Sequence, residues 1–162
     1  MDLNRKNSYN NIMKKLRIYI DTSVIGGCFD KEFTEESNAL IQMAENGEII
    51  LLISDLLLAE IELAPPKVAN YLDTLHVSCI ERFNTSEEAF LLRDNYLKAK
   101  VVGPASNNDA LHVANATVVK ADMIVSWNFK HIVHYDKIRE FNAVNLKEGY
   151  NMIAIYSPKE VV

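Results

Sequence analysis

The stretch from Leu16 to Ser23, LRIYIDTS, decides the fold class of this chain. Its first five residues favour extended backbone, and the run ends abruptly in Asp21, Thr22 and Ser23. This pattern predicts a buried strand that delivers polar side chains to the edge of a sheet. The second apolar run, at 49–53, is unbroken aliphatic, which is typical of a parallel strand covered on both faces.

Helical and extended segments alternate along the rest of the chain. Apolar spacing and breaker residues predict helices at 31–46, 54–64, 67–74, 85–100, 106–121 and 137–141, and further strands at 76–80, 123–126 and 152–156. Because no hairpin turn joins successive strands, this order predicts an α/β protein with a parallel sheet of about five strands and helices on both sides.

Length and composition indicate one domain. The chain has 162 residues, 49% of them hydrophobic and 24% charged, which supports one compact core and leaves little room for a second. Residues 1–15 are polar, basic and Asn-rich, so we expect a disordered leader before a single domain at 16–162. A start of translation at Met13 is the alternative for this segment.

Charge and cysteine content narrow the class of protein further. No apolar run approaches the roughly 20 residues that a bilayer helix needs, and no secretory signal is visible. Cys28 and Cys79 lack zinc-binding spacing, and a domain of this size needs no disulfide, so a reducing cytoplasm is the expected location. The formal net charge of −5 is unfavourable for a polyanion, so a phosphate substrate would require local cations or bound metal.

Polar residues that follow predicted strands are the candidate site residues. In parallel sheets, ligands collect at the carboxyl ends of the strands. Asp21 follows the first strand, Glu60 lies in the helix after the second, Asp109 opens an Ala- and Val-rich helix, and Asn128 follows the strand at 123–126. Clustered carboxylates repel one another unless a hard divalent cation compensates their charge, which suits Mg²⁺ or Mn²⁺ and phosphodiester hydrolysis by water.

Each of these residues could also have a purely structural role. Asp21 could form an Asx-turn, and Glu60 could be an exposed helical carboxylate, although apolar neighbours leave it little solvent-facing surface. Ser106 and Asp109 resemble a capping box, and an acid in the first turn favours the helix dipole. Asn128 in isolation is typical of a turn.

Four sequence blocks in order carry a resemblance to a known family. They are YIDTSVI at 19–25, SDLLLAEI at 54–61, NDALHVANA at 108–116 and VSWNFKH at 125–131. Together they resemble the PIN-domain ribonucleases over about residues 16–156. The resemblance implies a three-layer α/β/α sandwich, a Mg²⁺- or Mn²⁺-dependent endoribonuclease, and a VapC-like toxin of a bacterial toxin–antitoxin pair.

Carried over by position, the resemblance assigns roles to individual residues. Asp21, Glu60 and Asp109 would be the catalytic metal ligands, with Thr22 or Ser23 steadying a ligand or water through a hydroxyl. Asn128 would be a further ligand where many members have a fourth acid, so a second metal would be bound less firmly. The remaining expectations are RNA contacts from Lys130 and His131, an antitoxin partner, and a homodimer formed through the apolar residues Leu57, Leu58, Leu63 and Pro65.

Alternative functions follow from the same residues. The first strand lacks the Gly-rich turn of a dinucleotide-binding fold, and Ser23 stands where a phosphoaspartyl hydrolase needs an acid. The serious alternative is a catalytically weak regulatory module that binds RNA or protein through the same cleft. His112, one helical turn after Asp109, either assists the site or is a core or supporting histidine.

Overall fold

The computed structural model describes residues 14–162, which form a sheet of five parallel strands. The predicted leader therefore lies, except for its last two residues, outside the described residues. The strands are β1 (Leu16–Ile20), β2 (Ile49–Ser54), β3 (Ile80–Phe83), β4 (Met123–Val125) and β5 (Ala154–Tyr156). Their order in the sheet is β3-β2-β1-β4-β5, which confirms the predicted parallel sheet.

Helices cover both faces of this sheet. They are α1 (Thr22–Gly27), α2 (Thr34–Glu45), α3 (Asp55–Glu62), α4 (Pro66–Ala69), α5 (Glu87–Lys98), α6 (Asn107–Val118), α7 (Tyr135–Lys147) and α8 (Pro158–Val161). On one face α1 packs against α2 and α3, and α8 packs against α2; on the other, α5 packs against α6 and α7. The three-layer α/β/α sandwich implied by the resemblance is confirmed.

Two apolar cores hold the layers together, and alternate residues of the central strands divide between them. Ile18 and Ile20 of β1 belong to the core under α1 and α2, whereas Tyr19 between them belongs to the core under α5 and α6. In β2, Leu51 and Leu52 divide in the same way. Successive strand side chains point to opposite faces, so a strand buried on both faces reads as the continuous apolar run that the sequence shows.

The strand order fixes where a site can form. From β1 the chain proceeds outward to β2 and β3, and then returns to the other side of β1 to form β4 and β5. The direction of winding therefore reverses between β1 and β4, which opens a crevice beyond the carboxyl ends of these two strands. Asp21 directly follows β1 and Ser126 directly follows β4, so both lie at this crevice.

The predicted strand at 76–80 is wrong in its position. The structure has a 3₁₀ turn at Val77–Cys79, and the strand begins only at Ile80. The Nδ1 atom of His76 accepts a hydrogen bond from the backbone N–H of Ser78 and lies 2.6 Å from its hydroxyl. This local bonding competes with strand pairing and favours the turn.

Other differences lie at the ends of elements. The helix predicted from residue 31 begins at Thr34, and the one predicted near 137–141 spans Tyr135–Lys147. Helix α1 was not predicted because TSVIGG combines β-branched residues and glycines of low helix propensity. The short helix α8, which begins with a capping box between Ser157 and Glu160, was also not predicted.

Two further observations concern the surface. Leu57 is fully buried and cannot contribute to the predicted homodimer surface, whereas Leu63 is 92% exposed. Both cysteines are buried free thiols. Within residues 14–162, none of the helices combines the length and the apolar character that a membrane crossing requires.

Candidate active site

Asp21 is a buried carboxylate that two serine hydroxyls hold in place. Its side chain is at the start of α1 and the residue is 4% exposed. The Ser23 hydroxyl donates to Asp21 Oδ1 at 2.5 Å, and the Ser126 hydroxyl donates to Oδ2 at 2.7 Å. The carboxylate accepts no backbone N–H at the helix start, so the Asx-turn explanation of Asp21 is wrong.

The surroundings of Asp21 make its negative charge costly. Burial raises the pKa of the carboxyl above its ordinary value, and the nearby negative charge of Glu60 acts in the same direction. The hydrogen bonds from Ser23 and Ser126 oppose this rise without cancelling it. A buried carboxylate in such surroundings is relieved by a proton or by a cation.

The two serines connect Asp21 to the loop after β4. Ser23 Oγ accepts the backbone N–H of Trp127 at 2.8 Å, and Ser126 Oγ accepts that of Asn128 at 2.9 Å. Ser126 was not predicted as a site residue, although it follows β4 as Asp21 follows β1, so the rule that found Asp21 also points to Ser126. Thr22 Oγ1, which was expected to steady a ligand, is buried and has no hydrogen-bond partner in residues 14–162.

Glu60 is fixed by a histidine and is not a free helical carboxylate. Its Oε1 atom lies 2.5 Å from Nε2 of His112, and its side chain is 32% exposed to solvent. On the other side of the ring, His112 Nδ1 lies 2.5 Å from the Tyr19 hydroxyl, which lies 3.0 Å from Ser54 Oγ. Burial strongly raises the pKa of Tyr19, so this hydroxyl keeps its proton.

Asp109 lies one turn before His112 on α6, but the structure gives it no partner. Ser106, at the start of this helix, makes no capping hydrogen bond through its side chain, so the capping-box explanation of Asp109 is wrong. Asp109 is half-buried, and its carboxylate makes no hydrogen bond or ion pair among residues 14–162. An acid in the first turn is still favoured by the helix dipole.

Asn128 is a turn residue in the structure. Its side-chain Oδ1 accepts the backbone N–H of His131 at 2.9 Å, and its backbone carbonyl accepts those of Ile132 and Val133. To act as a metal ligand, Asn128 would have to use the second lone pair of Oδ1, because the first accepts the hydrogen bond from His131. Its role as a ligand stays a prediction. The predicted phosphate contacts lie beside it, with Lys130 exposed and His131 half-buried.

The candidate ligand atoms are of the chemical type that a divalent cation prefers, but their side chains are not gathered around one point. Asp21, Glu60 and Asp109 offer carboxylate oxygens, which hard ions such as Mg²⁺ and Mn²⁺ prefer, and the Thr22 hydroxyl adds an uncommitted oxygen. Among residues 14–162, however, no three Asp, Glu, His or Cys side chains are close enough together to hold a metal ion. Besides burial, the negative charge of Glu60 raises the pKa of Asp21.

Comparison with known proteins identifies the fold. Neither the family models nor the curated proteins contain a match to this chain. Solved structures do match: VapBC2 from Rickettsia felis bound to a DNA fragment from their promoter (18% identity, TM-score 0.55) and DNA-bound VapBC from Salmonella typhimurium (18%, 0.56). A third match is FitAcB from Neisseria gonorrhoeae (18%, 0.54); each alignment covers 88% of this chain and 98% of the other. The chain therefore shares the fold of these structures, which confirms the predicted PIN-like three-layer α/β/α fold.

Proposed function

We propose that this chain, which has the PIN-like fold of those toxin structures, is a Mg²⁺- or Mn²⁺-dependent endoribonuclease and the toxin of a toxin–antitoxin pair. One observation carries the nuclease proposal: a buried carboxylate, Asp21, is held by two hydroxyls where the winding of the sheet reverses, and the negative charge of a second carboxylate, Glu60, adds to the rise of its pKa that burial causes. Buried acids without a cationic partner are costly, and functional sites are where such groups are retained.

The residues of the chain would act by holding charge and by positioning. Asp21, Glu60 and Asp109 would hold the cation, which supplies polarisation of the phosphoryl group and easier deprotonation of the attacking water. The hydroxyls of Ser23 and Ser126 keep the Asp21 carboxylate in one orientation. Lys130 and His131, just beyond the turn at Asn128, would meet the RNA backbone locally, because the net charge of −5 repels it overall.

The test is cleavage of a panel of structured and single-stranded RNAs by the full chain with Mg²⁺, with Mn²⁺ or with EDTA. We expect cleavage at internal positions in the presence of either metal and none in EDTA, since the carboxylates alone supply no Lewis acid. Cleavage that persists in EDTA would contradict the metal dependence. No cleavage of any RNA by the folded protein would contradict the nuclease proposal.

Replacement of Ser126 by Ala should weaken the site without unfolding the chain. Asp21 would lose the hydroxyl that bonds Oδ2, and the Asn128 N–H would lose its acceptor. We expect cleavage to fall about 10- to 100-fold, as on loss of a group that orients a metal ligand. The matched control is Ser86→Ala, which removes the hydroxyl that caps α5 and should cost about 1 kcal/mol of stability but leave cleavage unchanged. Equal cleavage by both variants would remove Ser126 from the site.

A second candidate function is the regulatory module that binds RNA or protein without efficient cleavage. The observations in its favour are that Glu60 is engaged by His112 and that, in the described part of the chain, no three potential ligands are gathered. Metal-independent binding of RNA by a folded protein that cleaves none of the panel would support it.

Partners belong to the same proposal. The matching structures are VapBC and FitAcB complexes, so we propose that a small antitoxin protein binds this chain. The homodimer also remains a proposal, with Leu63 as its most exposed apolar residue and without Leu57. A cytoplasmic location likewise remains a prediction from the sequence.

A further inference from the structure

Four polar side chains form a chain of hydrogen bonds that begins at Ser54 at the end of β2, passes through Tyr19 of β1 and His112 of α6, and ends at Glu60 of α3. Its links are Ser54 Oγ to the Tyr19 hydroxyl at 3.0 Å, Tyr19 to His112 Nδ1 at 2.5 Å, and His112 Nε2 to Glu60 Oε1 at 2.5 Å. Ser54 and Tyr19 are fully buried and His112 is 2% exposed. Among these residues only Glu60 reaches solvent, so the chain ends at the candidate site.

The proton on each link follows from counting donors and acceptors. Ser54 Oγ already accepts the backbone N–H of Leu57, and in the described part of the chain the only acceptor left for its own proton is the Tyr19 oxygen. The Tyr19 oxygen then accepts the proton of Ser54, and among residues 14–162 the acceptor within reach of the Tyr19 hydroxyl proton is His112 Nδ1. With Nδ1 acting as acceptor, the ring proton lies on Nε2, where it is donated to Glu60.

We propose that His112 is a positioning residue for Glu60: Tyr19 fixes the ring as the Nε2–H tautomer, and this N–H holds Glu60 Oε1 so that Oε2 is left for a cation. This inference rests on the proposed function for the identity of the cation. It agrees with a general property of metal sites, in which groups behind the ligands orient them and contribute about 10- to 100-fold to affinity or activity.

Two substitutions at one position separate positioning from packing. In His112→Gln, the side-chain amide can place its N–H near the position of Nε2 and keep the bond to Glu60. In His112→Asn, the shorter amide reaches only the position of Nδ1, so it can keep a bond to Tyr19 but loses Glu60. Both variants remove the imidazole and leave a polar group in the same buried place. If His112 had only a structural role, the two variants should therefore bind Mn²⁺ equally well.

The first measurement is an imidazole ¹H–¹⁵N spectrum of the metal-free full chain, in which the His112 signal is the one of four histidines that His112→Gln removes. We expect a proton on Nε2 alone, and a mixture of tautomers in Tyr19→Phe. A proton on Nδ1, or on both nitrogens, would overturn the inference whether or not the protein is a nuclease.

The second measurement is the affinity of the folded wild type and of each folded variant for Mn²⁺, determined by calorimetry. We expect affinity about 10- to 100-fold weaker for His112→Asn and within a few-fold of wild type for His112→Gln. Equal affinities for the two variants, with both folded, would overturn the role of His112. Failure of the wild type itself to bind Mn²⁺ would count against the proposed function, while the spectrum would still decide the tautomer and its partner.

Discussion

Replacement of Asp21 by Asn is expected to abolish metal-dependent RNA cleavage, with a loss of at least about 10³-fold, while the protein stays folded. Asn has nearly the same shape, but it removes the negative charge that would hold the cation. The measurement is the initial rate on the most sensitive RNA of the panel, for both proteins, at saturating Mg²⁺ or Mn²⁺. A soluble, folded variant that cleaves at the wild-type rate would remove Asp21 from the active site.

The same substitution should increase stability in the absence of metal. Because burial raises the pKa of Asp21, the native protein binds this proton more tightly than the unfolded chain does. The contribution of this carboxyl to stability therefore falls as the pH rises above its ordinary value of 3.8, and Asn does not share that loss. In EDTA, we expect the unfolding midpoint of Asp21→Asn to exceed that of wild type by a margin that grows as the pH rises above 3.8.

Asp73→Asn is the matched control for this pair of measurements. Asp73 is 76% exposed, lies in the 3₁₀ turn at Tyr71–Thr74 and forms an ion pair of 3.9 Å with Arg82, which is not a residue of the candidate site. Its substitution should change neither cleavage nor the pH dependence of stability. A variant of Asp21 that loses activity together with its fold would show that the carboxylate is structural.

The sequence predicted the fold class because the central strands are buried on both faces. Leu16–Ile20 was bounded correctly, since its apolar run and the polar triplet after it coincide with the strand and its end. The edge strand β3 was misplaced because an edge strand is covered less, and local bonds at His76 compete with its pairing.

The candidate site was predictable only in part, for a physical reason. Asp21 is visible in the sequence because a strand ends at it, and Ser126 could have been found by the same rule. The link from Tyr19 through His112 to Glu60 joins residues 93 and 52 positions apart, so only the register of the sheet and the packing of α6 bring them together. Tyr19 in particular reads as an ordinary core residue of a strand.

The second large effect is expected at Gly27, where the chain has no room for a side chain. A Cβ atom there would lie 2.4 Å from Ser37 Oγ and 2.8 Å from Trp127 Nε1, and these two atoms already share a hydrogen bond of 2.7 Å. Neither partner can move freely, because Ser37 is fully buried and the Trp127 ring is stacked on Phe33. We expect Gly27→Ala to lower the free energy of unfolding by about 3 kcal/mol, at the upper end of the usual cost of overpacking.

Gly26→Ala, at the adjacent position of the same helix, is the control that isolates this effect. Apart from its chain neighbours and the backbone of its own helix, no atom of residues 14–162 lies within 4 Å of a Cβ built at Gly26, so alanine should stabilise α1 by up to about 1 kcal/mol. The two substitutions should also differ in function, because the backbone N–H of Trp127 donates to Ser23, whose hydroxyl holds Asp21. Displacing Trp127 disturbs that support, so Gly27→Ala should reduce cleavage where Gly26→Ala does not. Denaturant unfolding and cleavage rates of both variants provide the measurement, and equal unfolding midpoints would show that α1 can shift to accommodate a methyl group at position 27.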